Sequence, residues 1–297
     1  EHGSRVLKLA SALRHQLGVQ PEDRFAVLSL NSARFEELYH AGLLGAGVVN
    51  PLNLRFAPRE LTHVLVDSGT KVVFCDATFA PVIEQVRAEA GIEQVVLLGD
   101  GDVAHDASYE ELLAAGEEVL LDEPDEDAPA MLQYTGGTTG LPKGVLLTQR
   151  SMMLTLYHIQ MGVRQEQDDV FLAQVPMFHA ASMGAILATP ILGGQLLTVP
   201  FFDPPAVVAA IEAHQVSNTV MVPTMIAMTF AHPAYAPERL ASLRRLTYGA
   251  SPMPRPVLDR LRADQPRLEL YQGSGLPQRP AHRPGLMLRA HVRGDTL

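Results

Sequence analysis

The sequence predicts an α/β protein with a mostly parallel sheet covered on both faces by helices. Three observations carry this reading. Short β-branched and aliphatic runs alternate with amphipathic helical patterns from the start, the rhythm of strands joined by crossover helices. An acidic, proline-containing stretch at 117–127 (EEVLLDEPDED) interrupts the rhythm as a solvated surface linker, after which it resumes. The chain, at 297 residues, is long enough for one to three domains.

The elements follow in order. Val6, Leu9, Ala10, Leu13 and Leu17 fall on one helical face of residues 5–17. Residues 25–30 (FAVLSL) read as a buried strand, and Asn31 or Ser32 then caps a helix over 33–44. Pro58 opens a helix running to residue 66, and Gly69 ends it. Strand 72–75, helix 81–88 and strand 94–98 come next. Past the acidic linker, strands are predicted at 128–133, 145–147, 170–175, 195–199, 219–222 and 245–248, with helices near 183–192, 204–215, 223–231 and 254–264.

Composition narrows the function classes. Hydrophobic residues make up 47% and charged residues 19%, which excludes disorder as the main state. No apolar run reaches the ~18 residues of a membrane span, and the start at Glu1 shows no signal-peptide pattern. The single cysteine, Cys75, lies in an apolar run and reads as a small buried hydrophobe, so a reducing, cytoplasmic setting is expected. A net charge of −10 argues against a nucleic-acid backbone as partner. An anionic small molecule would need local backbone amides and a few cations.

The strongest motif is the run 134–144, YTGGTTGLPKG, between two predicted strands. Thr135, Gly136, Gly137, Thr138, Thr139 and Gly140 place three glycines and three threonines in six positions, so backbone amides and hydroxyls form a cluster of donors suited to a phosphate chain. Lys143 adds a point charge nearby. A P-loop requires Gly-Lys followed by Ser or Thr, whereas here Lys143 precedes Gly144.

On these residues the sequence resembles the adenylate-forming enzymes: acyl-CoA synthetases, firefly-type luciferases and peptide-synthetase adenylation domains. YTGGTTGLPKG is similar to that family's phosphate-binding signature, with Gly137 where serine is more usual. Three further segments match in order. PMFHAASM (176–183) resembles the substrate-site segment and puts His179 in the aromatic-His position at the carboxylate pocket. YGASP (248–252) resembles the strand-to-turn segment on which adenine packs, which brings in Gly249, Ala250, Ser251 and Pro252. LYQG (270–273) looks like the lead-in to the next nucleotide contact, with Tyr271, Gln272 and Gly273. The resemblance implies that a carboxylate attacks the α-phosphate of Mg-ATP to give an acyl-adenylate and pyrophosphate, and that the thiol of CoA then displaces AMP. It assigns His179 the catalytic role and Thr139 the magnesium, with the other named residues holding the nucleotide.

The resemblance also implies an N-terminal core of two βαβ-type sheet subdomains: about 20–165 as the first, and about 1–19 with 166–273 as the second. The match breaks after Gly273. The family continues Tyr-Gly-Met-Thr-Glu, but this sequence has Ser274, Gly275, Leu276, Pro277 and Gln278, which lack the stacking ring, the hydroxyl and the carboxylate. Residues 274–297, rich in Arg, Pro and His and without periodicity, are predicted to be an aberrant, disordered tail. The family's C-terminal lid domain and its catalytic lysine have no counterpart, so little turnover is expected of the chain alone.

Amino-acid-activating members carry an Asp in the aromatic-His segment to pair with an ammonium group. His179 in its place favours a neutral-tailed fatty or aromatic acid. The Ala-, Ile-, Leu- and Met-rich segments 184–191 and 220–230 fit an apolar pocket or equally a packed core. Two functions therefore stand: an acyl-CoA ligase of fatty acid metabolism using ATP, Mg2+ and CoA, or a non-catalytic nucleotide-binding or interaction protein. Apolar surface left exposed beyond Tyr271 predicts aggregation or a homodimer.

Overall fold

The computed structural model describes residues 1–135, 140–275 and 286–291, and it divides into two compact units, Glu1–Met152 and Met153–Leu297. In the first unit, α1 (His2–His15) precedes β1 (Arg24–Leu28), α2 (Ala33–Leu43), β2 (Val48–Pro51), α3 (Pro58–Ser68), β3 (Val72–Asp76), α4 (Ala80–Ala90) and β4 (Gln94–Leu98). The two-residue β5 (Ala107–Ser108), α5 (Tyr109–Ala115), β6 (Pro129–Thr135) and β7 (Lys143–Thr148) complete it, and the division falls within α6 (Gln149–Val163). The strands form one sheet in the order β5-β4-β3-β1-β2-β6-β7, parallel except for the antiparallel pair β6–β7.

Helix boundaries follow local chemistry. The Ser32 hydroxyl accepts from the Phe35 amide at 3.2 Å and starts α2. Glu60 reaches back to the Ala57 amide at 2.9 Å at the start of α3, whose end is marked by Gly69 at φ 62°. Strands β1 and β3 are almost wholly buried, as expected of a parallel sheet covered on both faces.

The structure corrects the grouping of residues 1–19 with 166–273: α1 belongs to the first unit. Leu9 and Leu13 are fully buried, and Arg5 grips the buried Glu37 of α2 at 2.6 Å. Glu37 also accepts from the Tyr109 hydroxyl of α5 at 2.6 Å, so one carboxylate binds three helices together. The division also falls at 152 rather than 165, inside α6, a helix that the sequence pattern does not reveal.

In the second unit, β8 (Val170–Ala173), α7 (Ala180–Ile191), β9 (Gln195–Thr198), α8 (Pro204–His214), β10 (Asn218–Met221) and α9 (Pro223–Ala231) are followed by β11 (Arg245–Gly249), α10 (Arg255–Asp264), β12 (Glu269–Gly275) and β13 (Leu286–His291). The sheet order is β13-β12-β11-β10-β8-β9, with only β12–β13 antiparallel among its pairs. The disordered-tail expectation is corrected for two segments. Residues 274–275 extend β12 and residues 286–291 pair with it, through Ser274↔Met287 and Gly275↔Leu286. Antiparallel pairing onto a neighbouring strand needs only backbone donors and acceptors, so it does not require a side-chain period. The remaining tail residues, including Pro277 and Gln278, lie outside the described residues.

A buried ion cluster fixes the amino-terminal ends of β8, β10 and β11. Asp169, 2% exposed, accepts from Arg245 at 2.7 Å, Arg244 at 2.8 Å, the Ser217 hydroxyl at 2.6 Å and the Glu166 amide at 2.7 Å. Burial works against its charge, but the Ser217 and Glu166 hydrogen bonds and the Arg245 charge prevail and hold its carboxyl below the usual range.

Candidate functional site

The glycine–threonine signature lies at the carboxyl end of β6, where parallel sheets present their ligands. Thr135 and Lys143 are direct partners across the β6–β7 pair, so the two strands are aligned stems on either side of the signature. The Thr135 hydroxyl donates to the Lys143 carbonyl at 3.4 Å. Gly140 and Lys143 are exposed, and among the described residues Lys143 forms no ion pair. Gly136, Gly137, Thr138 and Thr139 lie outside the described residues, and so does the magnesium assignment to Thr139.

Helix α3 holds both stems. The Tyr134 hydroxyl donates to Asp67 at 2.5 Å, and His63 donates through Nε2 to the Pro142 carbonyl at 3.1 Å. His63 and Asp67 are four residues apart, so they share one face of the helix. Burial, then the Asp67 bond, pushes the Tyr134 phenol well above its ordinary value, so it stays protonated and able to donate. Gly144 completes the arrangement: a Cβ there would lie 3.2 Å from the Tyr134 ring and 3.0 Å from Leu132. Sequence reading missed His63 and Asp67. Their i,i+4 spacing is a signal, but many exposed helix faces share it. A cleft of about 600 Å³ between α3 and α4 borders the same two side chains.

In the second unit His179 immediately precedes α7, in a turn closed by its own amide donating to the Pro176 carbonyl at 3.0 Å. Its side chain keeps solvent-exposed surface, yet the surrounding protein desolvates the imidazole and lowers its pKa. The start of a helix disfavours added positive charge as well. The ring is therefore neutral at pH 7. The segment leading to it is fixed by Gln174, fully buried, whose amide donates to the Thr219 hydroxyl at 3.0 Å and the Val220 carbonyl at 3.1 Å. Gln174 was also missed. Its signal is a lone amide in an otherwise apolar strand end.

YGASP and LYQG, read separately from the sequence, are brought together. Tyr248, Gly249 and Thr247 pair with Gln272, Gly273 and Tyr271 on adjacent parallel strands. Gly249 lies flush on that neighbour: a Cβ there would come within 2.3 Å of the Gly273 carbonyl oxygen. The turn then passes through Ala250 at φ 66°, a left-handed conformation costing a residue with a Cβ roughly 1–2 kcal/mol. Ala250, Ser251 and Pro252 are exposed at the end of the strand. Tyr271 differs from them. It packs on Ile159 and Val163 of α6, and its hydroxyl donates to Glu269 at 2.6 Å, which makes it a core residue. The apolar segments divide similarly. Met183, Ile186 and Leu187 are buried in the unit, whereas Ile191 and Met228 are about half exposed.

Among the described residues, the grouping of metal-ligating side chains that comes together is His2, Glu36 and His40 in the first unit, away from the signature in sequence.

Comparison with known proteins agrees with these features. The family model described as "AMP-binding enzyme" matches residues 1–276. A feruloyl-CoA synthase from Amycolatopsis sp is 34% identical over 98% of this chain and 56% of its own length. A long-chain-fatty-acid–CoA ligase from Thermus thermophilus is 32% identical over 92% of this chain and 50% of its own length. The chain thus spans about half the length of the curated relatives it matches. Among solved structures, the N-terminal domain of FACL13 from Mycobacterium tuberculosis superposes with a TM-score of 0.81 at 28% identity, covering 92% of this chain and 68% of that one. ATP-bound MatB from Rhodopseudomonas palustris shares the fold, with a TM-score of 0.83 at 23% identity over 99% of this chain and 56% of that one.

Proposed function

Because this chain belongs to the family of AMP-binding enzymes, we propose that it carries the nucleotide-activating part of an AMP-forming acid–thiol ligase. Its substrates on this reading are ATP, a fatty or aromatic carboxylic acid and CoA. The observation that supports it best is the β6–β7 pair, whose aligned stems flank the glycine–threonine signature at the carboxyl end of β6, with Gly140 and Lys143 exposed.

In this reading a carboxylate oxygen attacks the α-phosphorus of ATP, the bond to the bridging oxygen breaks, and pyrophosphate leaves. Donors from Thr135 to Gly140, with Lys143, take up the phosphate charge as it shifts toward the leaving group. The turn from Gly249 to Pro252 offers a rigid backbone surface to the adenine, and Gln272 and Gly273 extend it. Tyr271, being buried, acts by holding β12 in place. His179 lies beside the acid. A neutral imidazole donates one hydrogen bond to the carboxylate without competing with Lys143 as a counter-charge, and it gives an ammonium-bearing substrate no partner. Magnesium would neutralise the phosphates of bound ATP; no step is assigned to it through Thr139.

Relatives named for feruloyl-CoA and for long-chain fatty acids support an apolar acid. The test is ATP binding by calorimetry, paired with ATP–pyrophosphate exchange across hydroxycinnamic and fatty acids. Acid-dependent exchange that falls in Lys143→Ala is the expected result. ATP binding with no exchange for any acid would move the assignment to a non-catalytic nucleotide-binding protein. Absence of ATP binding would remove the nucleotide site altogether. The lowered imidazole gives a separate check: protonation of His179, followed by NMR, should have its midpoint below the ordinary histidine value, so the neutral form persists into mildly acidic solution.

A further inference from the structure

We propose that His2, Glu36 and His40 form a divalent transition-metal site of the Zn2+ class that staples α1 to α2. The ligand atoms of the three side chains lie within 4.8 Å of one another. Glu36 and His40 are one helical turn apart on α2 and share a face, and His2 reaches them from the first turn of α1. Glu36 Oε1 lies 2.8 Å from His40 Nε2 and 3.5 Å from His2 Nε2. The two imidazoles meet nearly at right angles, with ring centres 5.6 Å apart.

The polar bookkeeping points to a ligand. The Glu36 side chain is 3% exposed, yet neither its Oε1 nor His40 Nε2 has a hydrogen-bond partner of acceptable geometry, although they approach each other closely. A buried carboxylate oxygen and a buried ring nitrogen that face each other without hydrogen-bonding geometry are costly unless something bonds to both. A cation does this. With metal–ligand bonds of about 2.0–2.1 Å, a tetrahedral site spaces its donor atoms about 3.3 Å apart. The 2.8 and 3.5 Å separations bracket that spacing, and no two of the three donor atoms lie more than 4.8 Å apart. Two imidazoles and one carboxylate suit Zn2+ or Co2+ better than the oxygen-seeking Mg2+. His2 is 42% exposed, which leaves solvent access for the ion and a fourth position for water.

The role assigned is structural, because the ion would join two helices already held by Arg5 and Glu37, and the inference is independent of the ligase reading. Metal-free protein titrated with Co2+ should bind one equivalent, with the visible absorption of a four-coordinate nitrogen–oxygen site, and Zn2+ should displace it. Zn2+ should raise the Tm of the first unit. His2→Gln and His40→Gln should each weaken binding at least about tenfold and abolish that rise. His2 is exposed at the start of its helix, so its variant folds even if His40→Gln does not. The proposal is overturned if no stoichiometric Co2+ binds, or if both variants bind as the parent does.

Discussion

The two units hold their candidate site residues in different ways. In the first, the β6 and β7 stems are tied by side chains: Tyr134 to Asp67, and His63 to the Pro142 carbonyl. In the second, the turn at 249–252 is fixed by backbone, with Gly249 lying directly against Gly273 and β8, β10 and β11 anchored on one buried carboxylate. The first arrangement can be weakened one bond at a time. The second leaves no room at Gly249 and gathers three strands on one buried carboxylate, so it should fail as a block.

The largest effect expected is for Asp169→Asn. It removes the buried carboxylate from Arg245, 9% exposed, leaves the more exposed Glu166 at 3.0 Å as its partner, and should cost the second unit about 3 kcal/mol. Urea unfolding should then show that unit melting ahead of the first; a single unchanged transition would break the contrast. The sign with pH follows from the depressed carboxyl. Its contribution is fully present above the ordinary Asp value and is lost as pH falls through the lower folded value, so the variant should lack this acid sensitivity.

Next comes Gly249→Ala. The added carbon meets a backbone oxygen that cannot rotate away, so about 1–3 kcal/mol and a parallel loss of ATP affinity are expected. Tyr134→Phe should cost about 1 kcal/mol, since the exposed Asp67 returns to water, and should lower ATP affinity a few-fold without touching the second unit. The smallest effect is expected for His63→Ala, at about 0.5–1 kcal/mol, with partial recovery in His63→Gln, which keeps a donor for the Pro142 carbonyl. If His63→Ala lowered ATP affinity more than Tyr134→Phe, the hold on the two stems would be unequal.

Much of this architecture was legible in the sequence. Buried parallel strands such as β3 and β4 announce themselves as short aliphatic runs, and Ser32, Pro58 and Gly69 mark helix ends where the structure has them. The strand β2 was not read, because its sequence VVNP carries a polar residue and a proline, although Asn50 is fully buried there. Helix α6 escaped because its apolar residues surround it, with Tyr157 and Met161 exposed, so no amphipathic stripe stands out. The placement of α1 depends on Glu37 meeting both Arg5 and Tyr109, a contact across long stretches of chain that periodicity does not encode. The motifs named the candidate residues on β6, β7, β11 and β12, and the α3 residues that tie the β6 and β7 stems became visible only in three dimensions.

Strand β7 ends its sheet, with β6 as its hydrogen-bonded neighbour. A terminal strand swings more cheaply than an interior one, because a single ladder of bonds has to flex. The two stems beside the signature are therefore bonded unequally, β6 along both edges and β7 along one, so the amides of β7 should exchange with solvent first.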